Sequence, residues 1–228
     1  ILWSRIHPRA HRHFITGTIS KFKPLDPSPE TAEPLESLPR AASPVGSGYP
    51  EQYLVDDAII AIPTRGHSPD HVSFYIPEHR ALFTADETFT IYPLWPDSDS
   101  EATGKALGFF RSLASDGAID IAADSHTNGV RGAAAAEALF AKRQDAHRAF
   151  LDEFDRALET HHGDPDVHRI YRSMAKRQRA VKGPASRKPT DDRLASEYFE
   201  MEFPRMPVYL KVVLTTLLHE RFSGETTV

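Results

Sequence analysis

The sequence predicts an α/β protein, and three observations lead there. Short β-type runs alternate with turn signals between residues 53 and 84. A separate apolar run, 118–123, follows a stretch of helical periodicity. Beyond residue 133 the apolar residues keep to one stripe of a long helix. Strands of period two giving way to helices of period 3.6 is the pattern of a mixed sheet covered by helices.

Residues 1–19 carry Ile-Leu-Trp and then His7, His11 and His13, and their periodicity admits either a strand or a short helix followed by a strand. Between 24 and 50 stand Pro24, Pro27, Pro29, Pro34, Pro39, Pro44 and Pro50. Proline at that density stops helices and central strands, so a long loop is expected, of the kind that serves as a lid or substrate wall. Tyr53-Leu-Val and the run 58–62 flank Asp56-Asp57, a hairpin signal. Val72-Ser-Phe-Tyr-Ile and 81–84 flank Pro77-Glu-His-Arg80, a second hairpin. Residues 92–100 read as a loop, with Trp95 and Phe89 close by as an apolar substrate wall. Ser100-Glu101 opens a helix whose Ala106, Phe109, Phe110 and Leu113 share one face.

The run 118–123 reads as a short buried strand. A single helix is expected over 133–161, its stripe formed by Leu139, Phe140, Phe150, Leu151, Phe154 and Leu158, and Gly163-Asp-Pro165 stops it. A shorter helix over 167–176 leads into a basic, proline-containing linker at 177–190. Helices are expected again at 191–202 and 207–221. The last is apolar almost all round, and so needs covering by its own domain or by a partner subunit.

With 40% hydrophobic and 26% charged residues, the 228-residue chain has the composition of a globular domain able to bury a substantial core. A net charge of −5 argues against a general nucleic-acid binder, and the basic stretch 176–188 reads as a solvated linker. No apolar run approaches the length that spans a bilayer, so neither a membrane nor nucleic acid is expected as partner. Any metal must be held by His and carboxylate, because there is no cysteine. The chain opens on Ile1 rather than Met, and we expect a processed or truncated piece of a cytoplasmic protein.

Three residues then stand out. His67 lies at the tip of Thr64-Arg-Gly-His-Ser-Pro-Asp-His71, where Gly66 can supply a tight turn and Ser68-Pro69 fixes the exit. Asp86 follows Leu82-Phe-Thr-Ala, and His126 sits in Asp124-Ser-His-Thr-Asn-Gly129 after the run 118–123. Each alone would be a turn former. Together they place one metal-competent side chain after each of three strands of one sheet, which random turn chemistry seldom arranges.

Those three segments resemble, in order and in hairpin context, the third, fourth and fifth metal motifs of the metallo-β-lactamase superfamily. The resemblance covers roughly residues 52–145. It implies the second half of an αββα sandwich with a helical C-terminal extension: an α/β domain over 1–160, incomplete at its N-terminus, and helices over 161–228 that could serve dimerisation. It implies one or two zinc ions held by His67, Asp86 and His126, with Asp86 also orienting the attacking water and His71 a further catalytic or substrate contact. A small-molecule substrate follows, an apolar or aromatic electrophile, ester or lactone; hydrolytic dehalogenation of chlorinated aromatics lies within the same chemistry. Two features depart from the family. Ala85 stands where glycine is usual before the aspartate, and the His-x-His-x-Asp-His signature is absent, His11-Arg-His13 being followed by Phe14-Ile15. The second departure leads us to expect either a homodimer or association with a missing N-terminal fragment, and it keeps a degenerate, non-catalytic binding module as the rival.

Overall fold

The computed structural model describes residues 35–49, 51–55, 57–88, 97–125, 129–164, 166–182 and 208–223. The segments expected at 1–20, 24–34, 89–96 and 191–202, and with them His7, His11, His13, Phe89, Trp95 and His126, lie outside the described residues.

Among the described residues the sheet has six strands in simple order: β1 Tyr53–Val55, β2 Ile59–Pro63, β3 Val72–Ile76, β4 Ala81–Phe83, β5 Ile121–Ala123 and β6 Val130–Arg131. Both predicted hairpins form. β1 pairs antiparallel with β2 through a turn in which Asp57 takes φ 57°. β3 pairs antiparallel with β4 across the 3-10 turn Pro77–His79, closed by Arg80 at φ 46°. β4 then pairs parallel with β5. The chain between them is the crossover that a parallel pair requires, and it contains helix α1, Ser100–Ser115. Asp99 caps α1, its side chain accepting the Ala102 N–H at 2.9 Å. The strand expected over 118–123 is shorter than predicted, and two-residue β6 carried no sequence signal.

Alternation sets the core. Ile60 and Ile62 of β2, Tyr75 of β3, Leu82 of β4 and Ala122 of β5 share a buried cluster with Ala106, Phe109, Phe110, Leu113 and Ala114 of α1. The predicted face of α1 is thus the buried one. Phe74 and Phe83, direct cross-strand partners, show the alternate positions and are 37% and 40% exposed. The described part of the proline-rich segment is a loop, as expected, with one 3-10 turn at Leu35–Ser37. Buried Gln52 fastens it by accepting the Val45 N–H and donating to the Val45 and Tyr49 carbonyls, all at 2.8 Å.

Helix α2, Ala133–Thr160, matches its prediction to within a residue. Helix α3, Val167–Lys182, does not: it runs on through Lys176-Arg-Gln-Arg-Ala-Val-Lys182, where a linker was expected. Arg, Lys, Gln and Ala are all strong helix formers, and that local preference outweighs the repulsion of like charges in water. Helix α4 covers Val208–Ser223. The described residues divide into two compact units, one ending at Asp145 and one beginning at Ala146. In the second unit Phe150, Phe154 and Ala157 of α2, Ile170, Tyr171 and Met174 of α3, and Val213, Leu214, Leu217 and Leu218 of α4 are buried, and α3 packs on α4. Residues 213–218 are all buried, so this stretch of the helix is covered on every side.

Candidate metal centre

The turn between β2 and β3 is built on its own backbone. The Thr64 and Arg65 amides both donate to the His71 carbonyl, at 3.1 and 3.2 Å, and the His71 amide donates to Ser68. Ser68 Oγ donates to Asp70 Oδ1 at 2.7 Å, which holds the Asp70 carboxyl below its usual range. The left-handed residue is Arg65, at φ 58°, rather than Gly66, which corrects the expected role of the glycine. Gly66 is needed for space: a Cβ on it would strike the Glu87 carboxylate and the hydroxyl and amide of Thr103. The Gly66 carbonyl also accepts the Asp99 amide at 2.9 Å, and Ser98 Oγ donates to the His67 carbonyl at 2.8 Å, so the N-terminal end of α1 clamps this turn.

The second turn follows β4. Ala85 adopts φ 46°, the left-handed conformation that glycine takes most readily, so the alanine keeps the tight backbone and bears its strain. This sets Asp86 opposite His67, with His67 Nε2 and Asp86 Oδ2 3.7 Å apart. Two donors on one zinc ion, with bonds of about 2.0–2.2 Å in tetrahedral array, stand roughly 3.3–3.5 Å apart. The separation of this pair exceeds that spacing by a few tenths of an ångström.

The third strand reaches the same edge. Thr84 donates its amide to the Ala123 carbonyl at 2.8 Å, and the Ser125 amide donates to the Ala85 carbonyl at 3.1 Å. The chain is thus hydrogen-bonded to the Asp86 turn at the residue immediately before His126, although His126 itself lies outside the described residues. Among the described residues no three His, Asp or Glu side chains converge as a metal cage.

His71 lies between the two turns. The Asp86 amide donates to its Nε2 at 3.3 Å, which requires a lone pair there and so places the proton of the neutral ring on Nδ1. Nδ1 faces Glu87 Oε2 at 3.1 Å and Thr64 Oγ1 at 2.9 Å. The His67 and His71 rings meet edge to face at 5.5 Å.

Glu87 is the residue that sequence reasoning missed. It is 0% exposed, and one oxygen, Oε2, accepts the Gly66 and His67 amides, each at 3.2 Å. Burial alone would raise its pKa. The hydrogen bond of His71, the His67 amide and the Thr64 hydroxyl outweigh burial and hold the carboxyl below its ordinary range. Burial, then the charges of Glu87 and Asp99, push the Tyr49 phenol far up. Asp-Glu in a polar turn reads as two solvated carboxylates, and no local signal says that the second points inward. Of the other histidines, His79 is exposed in the 3-10 turn and His147 is buried in the second unit. Beside the centre, a cleft of about 290 Å³ is lined by Pro63, Arg65, Pro69, Asp70, His71 and Val72 and by Leu35 and Glu36 of the proline-rich loop.

The family profile of the metallo-beta-lactamase superfamily matches residues 4–148, well over half of the chain. The chain belongs to that superfamily. Its six-stranded mixed sheet and its helices make it an α/β member with a helical C-terminal part. No curated protein matches it. Among solved structures, it is similar to the stereoselective inverting sec-alkylsulfatase Pisa1 from Pseudomonas, at 19% identity and TM-score 0.45, over 78% of this chain and 26% of that one. A double mutant of the same sulfatase gives 17% identity and TM-score 0.47 over the same shares. A metallo-beta-lactamase family protein from Thermus thermophilus gives 17% and 0.42, over 82% of this chain and 51% of that one. This superfamily chain thus spans about a quarter of the sulfatase's length and about half of the Thermus protein's. Among its described residues no helix is long and apolar enough to cross a membrane.

Proposed function

We propose that this chain supplies the metal site of a zinc-dependent hydrolase acting on a small, apolar or aromatic electrophile, ester or lactone. The observation that carries the reading is the 3.7 Å approach of His67 Nε2 to Asp86 Oδ2 across two adjacent turns. His67, Asp86 and His126 would hold one zinc ion, with water completing the usual four-coordinate shell. A zinc ion there supplies Lewis-acid polarisation of the substrate and acidification of a water molecule.

The chain's own residues do the rest. Asp86, 37% exposed on its side chain, can accept a proton from water or orient it by hydrogen bond. His71, with its ring engaged at both nitrogens, serves the site by keeping the two turns at a fixed separation. The cleft flanked by Leu35 and Pro63 has the volume for a small ligand and lies against His71.

Metal content tests the reading directly. The wild-type chain should carry about one equivalent of zinc, and His67→Ala, Asp86→Ala and His126→Ala should each fall below about one-tenth. Hydrolysis of an aryl ester and lactone panel should vanish with a chelator and return with zinc. A wild-type chain holding less than about one-tenth of an equivalent would sink the enzyme reading in favour of a non-catalytic module. A His126→Ala variant with full zinc content would remove that residue from the ligand set.

A further inference from the structure

We infer that Glu87 is the positioning residue of this centre: its buried carboxylate fixes the His67 turn through two amides and fixes His71 as the tautomer that receives the Asp86 turn. The inference rests on the reading of His67 and Asp86 as ligands and adds a residue that touches neither of their donor atoms.

The geometry is specific. A single oxygen, Glu87 Oε2, takes the Gly66 amide, the His67 amide and His71 Nδ1, at 3.2, 3.2 and 3.1 Å. His71 Nε2 in turn takes the amide of Asp86 at 3.3 Å. A continuous path therefore runs from the backbone of one ligand through Glu87 and His71 to the backbone of the other. Glu87 also follows Asp86 in the chain, so one turn delivers a ligand outward and its anchor inward. Gly66 leaves the room that lets the carboxylate approach the backbone.

A wholly buried carboxylate is costly unless it is well supplied with donors, and here the donors all belong to the ligand turns. Without Glu87 the Nδ1 proton of His71 keeps only the Thr64 hydroxyl at 2.9 Å, which can donate to that nitrogen as readily as accept from it. The ring is then free to take the other tautomer, whose Nε2–H opposes the Asp86 N–H donor to donor. That would push the Asp86 turn away from His67. Outer groups that orient metal ligands typically contribute 10–100-fold to metal affinity.

The test uses the whole chain with Glu87→Gln and Glu87→Leu, zinc titration against a chelating dye, and ¹⁵N chemical shifts of the His71 ring recorded without zinc. Glutamine retains an oxygen for the amides and for Nδ1–H, whereas leucine retains none. We expect zinc affinity within about threefold of wild type for Glu87→Gln and a loss of about tenfold or more for Glu87→Leu. We expect His71 to be Nδ1-protonated in wild type and in Glu87→Gln, and mixed or Nε2-protonated in Glu87→Leu. A folded Glu87→Leu variant that keeps both zinc affinity and the Nδ1–H tautomer overturns the inference. So does a glutamine variant as impaired as the leucine one, because charge rather than hydrogen-bond placement would then be at work. Should the leucine variant fail to fold, a wild-type His71 protonated on Nε2 still overturns it. A wild-type chain that binds no zinc defeats the functional reading, while the tautomer comparison, made without metal, continues to decide the role of Glu87.

Discussion

Gly66 and Ala85 occupy equivalent places, each one residue before a proposed ligand, and their needs are opposite. Gly66 has an ordinary φ but no space for a side chain, since Glu87 and Thr103 fill the position of its Cβ. Ala85 has a side chain but an awkward backbone, at φ 46°. The reciprocal substitutions should therefore differ in sign. Gly66→Ala forces a collision with a buried carboxylate and a helix N-terminus, and should cost about 2–3 kcal/mol. Ala85→Gly relieves left-handed strain of about 1–2 kcal/mol and forfeits roughly half of that to chain entropy, leaving a gain of about 0.5–1 kcal/mol. Urea unfolding of both variants checks the pair, and equal signs would refute the division between space and angle. The sequence pointed to the importance of both positions but misassigned the cause at Gly66. The space at Gly66 is taken by Glu87, twenty-one residues away in the chain, and local turn chemistry carries no trace of it.

Elements whose stability is mostly local were legible in the sequence, and elements set by distant contacts were not. The hairpins at Asp57 and Pro77–His79 and the entry of α1 at Ser100-Glu101 follow from turn and helix-entry residues, so all three were readable. So was the apolar stripe of α2. The extent of β5 depends on its parallel pairing with β4, Ala81 with Ile121 and Phe83 with Ala123, far apart in the chain, and two-residue β6 is defined only by its pairing with β5, which so short a segment does not announce. The extra turns of α3 show the converse error, where a charge run was given more weight than helix propensity. The start of α3 offers a pH-dependent check. Asp166 Oδ1 accepts the His168 and Arg169 amides at 2.8 and 3.2 Å, closing the first turn as a cap. Burial is the largest single influence and opposes its ionisation, but the Arg169 and His168 amides and charges together outweigh it and hold its pKa below the ordinary 3.8. A carboxyl depressed in the folded state stabilises above its unfolded pKa, and that contribution is lost as pH falls through the folded value. Asp166→Ala should therefore cost about 1 kcal/mol near neutrality, and the gap to wild type should narrow below pH 3.8. Asp166→Asn, with an uncharged cap, should hold its advantage over alanine through that range. Thermal melts from pH 7 to pH 3 measure both.

At the scale of the molecule, the family match ends at residue 148, close to the division between Asp145 and Ala146. The proposed ligands belong to the first unit, and the buried faces of α3 and α4 belong to the second. Within the second unit, Arg221 makes a two-pronged ion pair with Asp155, both contacts at 3.0 Å, which holds the guanidinium charge even more firmly than usual. Both side chains remain more than a third exposed, so solvent screening limits this pair to well under about 1 kcal/mol. Leu217 is different. It is 0% exposed, and its truncation should cost about 2–5 kcal/mol. If zinc binds the folded first unit and not the unfolded chain, zinc at a hundredfold excess over its dissociation constant should add about 2.7 kcal/mol. The two effects should then separate. Leu217→Ala should lower stability while leaving the zinc-dependent increment at its wild-type size. His67→Ala should change zinc-free stability little and abolish the increment. Urea melts of the three proteins, each with and without zinc, make the comparison. Loss of the increment in Leu217→Ala would mean that the metal centre draws its form from the helical unit, and that the family match alone does not bound the functional part of the chain.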